Sequence, residues 1–369
     1  MIDYSQEKFI SKLDKIPLGI PFFISLIAIY GFVVLYSAAG GQFQPWAYKQ
    51  FIIFCLFMPI ALMISMIDLK YIFRFAYIPY LFVIVLLLIV GLFGKKAMGA
   101  TRWIDLGLFH VQPSEPTKLA VVLMLARYFH KTSELDLNRL HFIILPIIGV
   151  IIPTALIIKQ PDLGTGIITL LVAGIMFFAA GIKILYFVIA GVFAVICLPM
   201  IWFMLYSYQQ NRLLIFFNPE REPLGAGYNI IQSKIAIGSG GLFGKGLLAG
   251  TQSHLSFLPE YETDFIFSFL AEELGFMGGI VLLLLYLLLI ISCLLVAVNC
   301  KTKFARLVVV GITSIFFSHV FINIAMVMGM LPAVGVPLPL ISYGGTMMVS
   351  VLIGFGIIMN ISVNQQKIV

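Results

Sequence analysis

Between Leu307 and Gln366 the chain reads LVVVGITSIFFSHVFINIAMVMGMLPAVGVPLPLISYGGTMMVSVLIGFGIIMNISVNQQ, without one Lys, Arg, Asp or Glu. One helix of that length would far exceed a hydrocarbon core of about 30 Å. Within it, Leu331-Pro-Ala-Val-Gly-Val-Pro-Leu-Pro339 forces a division, because three prolines and a glycine cannot continue a helix. The stretch therefore reads as two membrane spans, 306–330 and 340–361, joined by a broken turn. Working outward, similar apolar runs fall at 17–38, 50–67, 74–93, 114–130, 142–158, 163–182, 184–206 and 268–298. The expected fold is all-α: one polytopic integral membrane domain over 1–369, with ten transmembrane helices and a long connection at 207–265.

Composition agrees. Of the 369 residues, 61% are hydrophobic and only 11% charged, against roughly 45–50% and 25% in soluble domains. That excludes a soluble globular enzyme, a disordered chain and a fibre. The first apolar run follows a charged leader and lacks a small-residue cleavage site, so it reads as a retained span rather than a removed signal peptide. Cys55, Cys197, Cys293 and Cys300 form no CxxC, and His110, His130, His141, His254 and His319 show no HxxxH or HExxH spacing. A disulfide framework and a zinc enzyme are both disfavoured.

The net charge of +7 is assigned to orientation in the bilayer and not to nucleic acid. An even span count puts both termini on one side, which then carries 13 basic and 6 acidic residues. The other side carries 10 of each. The excess of Lys and Arg makes the first side cytoplasmic. The 207–265 connection then lies outside, with most of the ionisable groups capable of chemistry.

Five segments can carry that chemistry. Lys95–Lys118 mixes cations with Trp103, Phe109 and glycines, and reads as an interfacial or re-entrant piece. At its end Ser114 is placed to N-cap a helix, and Glu115 and Lys118 are i,i+3 neighbours. The segment is either an anchor with an ion pair or a basic, aromatic-lined site for an anionic headgroup. In Lys159-Gln-Pro-Asp-Leu-Gly-Thr165, Asp162 is a helix cap or a site residue. The long connection holds Arg212 and Arg221, suited to bidentate phosphate or carboxylate contacts, and a glycine-rich run. That run fails as a nucleotide-binding P-loop, because Gly246 follows Lys245 where Ser or Thr is required.

The fourth segment, Phe257–Gly275, brings Asp264 to the junction of loop and apolar helix, with Glu272 and Glu273 further in. Carboxylates so near hydrocarbon must face protein or water. Asp264 is a cap or a base, and a base working near neutrality needs burial or nearby carboxylates to raise its pKa. The fifth, Asn323–Thr346, reads helix, broken turn, helix, with Ser342 and Gly344-Gly345 offering hydroxyl and close backbone to a ligand, or simply packing tightly.

These motifs together resemble the SEDS family (shape, elongation, division and sporulation). The matching pieces are Arg102-Trp-Ile-Asp-Leu-Gly with Gln112-Pro-Ser-Glu115, Gln160-Pro-Asp-Leu-Gly-Thr165, Gly238-Ser-Gly-Gly with Gly250-Thr-Gln252, Leu258-Pro-Glu, Thr263-Asp-Phe-Ile-Phe267, and Asn323 through Gly345. Length, short termini and Phe257-Leu-Pro-Glu260 are most similar to the rod-shape branch. Pro116-Thr117 departs from the aliphatic or small residues usual there.

The resemblance implies a peptidoglycan glycosyltransferase of the bacterial cytoplasmic (inner) membrane. It would polymerise lipid II on the outer face, with undecaprenyl pyrophosphate as leaving group. It implies Asp264 as the catalytic residue and Arg102, Glu115, Lys118 and Asp162 as polar cavity positions. Arg212 and Ser342 join them as candidate substrate contacts from the residue reading. A divalent cation, Mg or Mn, is a candidate helper. A class B penicillin-binding protein and other rod-shape membrane proteins are the implied partners. A lipid II flippase and a non-catalytic scaffold are the rival readings.

Overall fold

The computed structural model describes residues 15–97, 100–105, 110–133, 136, 139–205, 207–218, 226–251 and 260–364. Arg221, Gln252 and the 257–259 stretch, singled out above, lie outside the described residues. In chain order the helices are α1 (Gly19–Ala38), α2 (Trp46–Met66), α3 (Leu69–Phe75) and α4 (Tyr77–Phe93). After three short strands come α5 (Ser114–Lys131), α6 (Leu140–Lys159), α7 (Leu163–Ala180) and α8 (Ile184–Met204). Then follow α9 (Ser207–Phe217), α10 (Ala226–Ser239), α11 (Ile266–Val298), α12 (Lys303–Val327) and α13 (Gly345–Val363).

Each of the ten expected spans falls on a long helix. Seven of these helices are long and apolar enough on their own to cross a membrane, and the α3–α4 pair, bent by 48°, makes an eighth. Of the other two, α5 carries Glu115, Lys118 and Arg127, while α8 is uniformly apolar over Ile184–Met200. The internal prolines Pro59, Pro146, Pro153 and Pro199 leave their helices continuous, as neighbouring helices allow in a bilayer.

The bundle has a centre and a rim. Helix α12 packs on α11, α7, α5 and α13, and 78% of its apolar window is buried, against 17% for α2. Residues on the rim, such as Phe193, Ile196 and Leu198 of α8, are exposed, as a hydrocarbon-facing surface should be.

Two segments differ from expectation. The 95–111 piece is a small antiparallel sheet, order β1 (Lys95–Ala97), β2 (Ala100–Asp105), β3 (His110–Val111). Its register pairs Lys96 with Thr101 and Ile104 with Val111. Thr101, Trp103, Ile104 and Val111 are β-formers, and pairing satisfies the backbone that an interfacial piece would otherwise leave open. The 207–265 connection contains two helices, α9 and α10, the latter fastened to the core where Ser233 Oγ donates to Val327 O at 2.6 Å.

Candidate active site

Connections between helices gather at the two ends of the bundle in alternation. At one end Ser37 Oγ accepts from Leu248 N and the Trp46 ring meets Tyr261 at 5.8 Å. There too, Arg102 donates to the carbonyls of Gln160 and Pro161, and Arg212 donates to Ala333 O. At the other end Arg127 donates to Arg74 O, Asn360 to Ile67 O, and Phe304 N to His130 Nδ1. Such alternation is what an up-and-down bundle of ten helices produces.

The first end gathers the polar residues of the motifs around Asp264. A turn at Glu260–Phe265, closed by Thr263 N and Phe265 N donating to Glu260 O, carries it into α11. The turn is fastened from two sides, and the second of these is itself held from α2. From α12, Asn323 Nδ2 donates to Asp264 O at 2.8 Å and to Val336 O at 2.7 Å. From the broken turn, Ser342 Oγ donates to Thr263 O and accepts from Leu338 N at 2.7 Å. Tyr343 N donates to Glu262 O at 2.9 Å. From α2, Gln50 Nε2 donates to Ser342 O at 2.8 Å and its Oε1 accepts from Gly344 N. Ser342 thus touches the Asp264 turn, and its hydroxyl is engaged in holding it.

Asp264 is itself partly buried, and no hydrogen bond reaches its carboxyl among the described residues. Phe265, not Asp264, occupies the N-cap position of α11, and no side-chain cap bond forms there. The capping alternative for Asp264 therefore falls. Gly335 approaches so closely, at φ +68°, that a Cβ there would stand 3.2 Å from Asp264 Oδ2. Crowding by protein is the first cause that raises the Asp264 pKa from 3.8 to about 7, with the Glu260 charge second. Arg212 and Arg102 pull it down, and Asp162 pushes it up. Both arginines and Asp162 therefore share one electrostatic neighbourhood with Asp264.

Asp162 is both a cap and a polar centre. Its Oδ1 accepts from Thr165 N at 3.3 Å, and its Oδ2 from Gln112 Nε2 at 3.0 Å and Ser114 Oγ at 3.2 Å. Ser114 consequently does not cap its own helix; Pro113 stands at that N-cap with no side-chain bond. Glu115 and Lys118 form the expected pair at 2.9 Å. They are only 5% and 2% exposed, and Lys118 Nζ also meets His319 Nε2. The pair is thus turned into the bundle interior. Glu272 and Glu273 find the protein partners their position demands. Glu272 Oε1 accepts from Lys245 Nζ at 2.7 Å and Thr251 N at 2.8 Å, and Glu273 Oε1 accepts from Leu248 N at 3.0 Å.

Sequence reasoning missed Gln50 and His319, and gave Glu260 no role beyond its motif. Gln50 and His319 both lie on apolar helices, a signal that a buried polar group there needs a hydrogen-bonded partner, though not which. The described residues bring no three His, Cys, Asp or Glu side chains together as metal ligands.

Comparison with known proteins adds the following. The family described as "cell cycle protein", named for FtsW, RodA and SpoVE, matches residues 18–367. The chain is 42% identical over 360 residues to the peptidoglycan glycosyltransferase MrdB of Escherichia coli K12, covering 96% of each. It superposes with a TM-score of 0.83 on a chain, 31% identical, from a study of the "structural coordination of polymerization and crosslinking by a peptidoglycan synthase complex". That match covers 95% of this chain and 98% of the other. The rod shape determining protein RodA of Thermus thermophilus superposes with a TM-score of 0.71 at 27% identity, covering 95% and 97%.

Proposed function

The chain belongs to the FtsW, RodA and SpoVE family of cell cycle proteins, and from that premise we propose that it polymerises lipid II with Asp264 as general base. It is a multi-pass membrane protein and a peptidoglycan glycosyltransferase. The activity carried by its relatives sets aside the flippase and scaffold readings. The observation that carries the mechanism is the placement of Asp264: a partly buried carboxyl, raised to about 7, beside two arginines.

The reaction is a single displacement. Asp264 takes the proton from the 4-hydroxyl of the acceptor N-acetylglucosamine. That oxygen forms a bond to the anomeric carbon of the lipid-linked donor as the bond to pyrophosphate breaks. The α-linked donor becomes a β-1,4 glycan, and undecaprenyl pyrophosphate leaves with the electron pair. Arg212 and Arg102 are the cations available to stabilise the departing charge. A carboxyl with a pKa near 7 is half ionised at the working pH and still basic enough to accept a proton, the compromise general base catalysis requires. Asp162 holds the Gln112–Ser114 turn against this site. Glu115 and Lys118 serve it from below, as support for the bundle around the substrate cavity. A divalent cation would reach this site with the pyrophosphate, as part of the substrate.

The test is direct. Purified protein and fluorescent lipid II should yield glycan polymer that a muramidase digests; lipid II recovered unchanged, or moved across vesicles without polymer, would defeat the proposal.

The membrane is the bacterial cytoplasmic membrane, with both termini inside. A class B penicillin-binding protein crosslinks the product, among other rod-shape membrane proteins. The orientation follows from the bias of Lys and Arg. On a background lacking the four native cysteines, a membrane-impermeant maleimide added outside intact cells should label Phe243→Cys but not Lys301→Cys. Both positions are exposed, so the reverse pattern would overturn the orientation.

A further inference from the structure

Lys118 lies in the interior of the bundle with two partners, Glu115 on its own helix and His319 on α12. The ring of His319 is used at both nitrogens. Nδ1 faces Pro337 O at 3.4 Å, and Nε2 faces Lys118 Nζ. A carbonyl oxygen only accepts, so Nδ1 carries the hydrogen. An ammonium only donates, so Nε2 offers its lone pair. One neutral tautomer satisfies both contacts, and a doubly protonated ring would set an N–H against an ammonium.

The position of Pro337 gives this bridge its consequence. Its neighbour Val336 accepts from Asn323 Nδ2, the same group that holds Asp264 O. Its other neighbour, Leu338, donates to Ser342 Oγ, which holds Thr263 O. His319 and Asn323 are i,i+4 on α12, so one helix face presents both to the 336–337 backbone. The cavity beside Glu115, Lys118 and His319 is only about 20 Å³, roughly the room of one water. Glu115, Lys118 and His319 are all buried, so the bridge is closed from bulk solvent, where such contacts are strongest.

We propose that His319 is a positioning residue: it ties the buried Glu115–Lys118 pair to the Pro337 backbone and so fixes the broken turn against Asp264. This rests on Asp264 as the base, but its test does not. Four variants are compared in purified, detergent-solubilised protein: His319→Phe, His319→Gln, Lys118→Met and the double variant His319→Phe with Lys118→Met. The readouts are kcat and KM for fluorescent lipid II, normalised to folded protein.

His319→Phe should lower kcat roughly tenfold or more and leave KM within about twofold, as loss of positioning in the transition state requires. His319→Gln should recover most of the rate, because its amide oxygen can accept from Lys118. The double variant should be no worse than Lys118→Met, since the tie is already cut. Parental kcat in His319→Phe, multiplicative losses in the double variant, or a loss that follows only the folded fraction would each overturn the proposal. Where His319→Phe does not fold, His319→Asn replaces it. Asn is too short to reach Lys118 and should fall well below Gln; equal rates for the two would overturn the tie. Coupling between His319 and Lys118 in an enzyme whose Asp264→Asn variant still polymerises would sink the base assignment and leave the tie standing.

Discussion

Asp264→Asn is expected to fold, to insert and to make no glycan. Asn keeps the size of the side chain and loses the lone pair basic enough to take the hydroxyl proton. Loss of general base catalysis alone lowers the rate roughly 100- to 10,000-fold, and Asp264→Ala should do the same. The parent's rate should rise with pH through an inflection near the raised pKa of about 7, and that inflection should vanish in the residual activity of the Asn variant. Stability gives a second, independent reading. The folded-state pKa lies above the unfolded value, so the contribution of this carboxyl to stability is fully present below about 4 and is lost as pH rises through about 7. Asn carries no charge to bury. Its melting temperature should exceed the parent's at pH 8, and the gain should shrink to nothing toward acid pH. An Asn variant that polymerises at the parental rate would move the base elsewhere, with Glu262 next to be tried. An Asn variant that is less stable at pH 8 than the parent would contradict the environment described for Asp264.

Much of this was legible from residues because the membrane makes a simple demand. A helix interior without charge for twenty residues has one place to go, and Pro332, Pro337 and Pro339 mark where the chain must turn. Glu272 and Glu273 were equally legible as groups needing partners. What periodicity could not supply was the identity of those partners, since Lys245, Leu248 and Thr251 approach from a glycine-rich connection with no regular pattern. The same limit hid Gln50, whose bonds to Ser342 and Gly344 join residues almost three hundred positions apart. It also hid the choice that Ser114 makes. A serine one turn before an apolar run is a good cap by local rules, yet its hydroxyl goes to Asp162, across 48 residues. Local propensity loses there to a buried carboxylate that needs donors. The 95–111 sheet was obscured differently: Gly94 and the glycines within break any period, and the strands are too short for alternation to declare itself.

Gly275→Ala should be severely damaging for a change of one methyl group. Inside α11, Gly275 leaves helical geometry at φ 66° and ψ −166°. The helix is broken there, and the groups it orphans are satisfied by the Gly240–Gly246 backbone. Phe276 N and Met277 N donate to Gly241 O and Leu242 O at 2.9 and 3.1 Å. In return Lys245 N and Gly246 N donate to Glu272 O and Glu273 O at 3.1 and 2.9 Å. A Cβ on Gly275 would stand 2.2 Å from Gly244 N and 2.7 Å from Phe243 C, both backbone atoms that no rotamer change can move aside. The left-handed φ alone costs about 1–3 kcal/mol for an L residue. Separating the two segments would open four backbone hydrogen bonds near hydrocarbon, at about 1–3 kcal/mol for each group left unpaired. The sum exceeds roughly 4 kcal/mol, which for a chain of this size lowers the melting temperature by about 5 °C or more. The damage should spread to function, because the displaced segment leads on to the Glu260–Phe265 turn that carries Asp264. Gly91→Ala is the control. It lies in α4 with nothing within 4 Å of a Cβ, and alanine is the better helix former by about 1 kcal/mol, so its melting temperature should match or exceed the parent's. Equal melting temperatures for Gly275→Ala and the parent would show that the helix break is not held by this contact. If the contact is real, restoring space from the other side should not help. Gly244 already has no side chain to remove, and only the backbone remains to be moved.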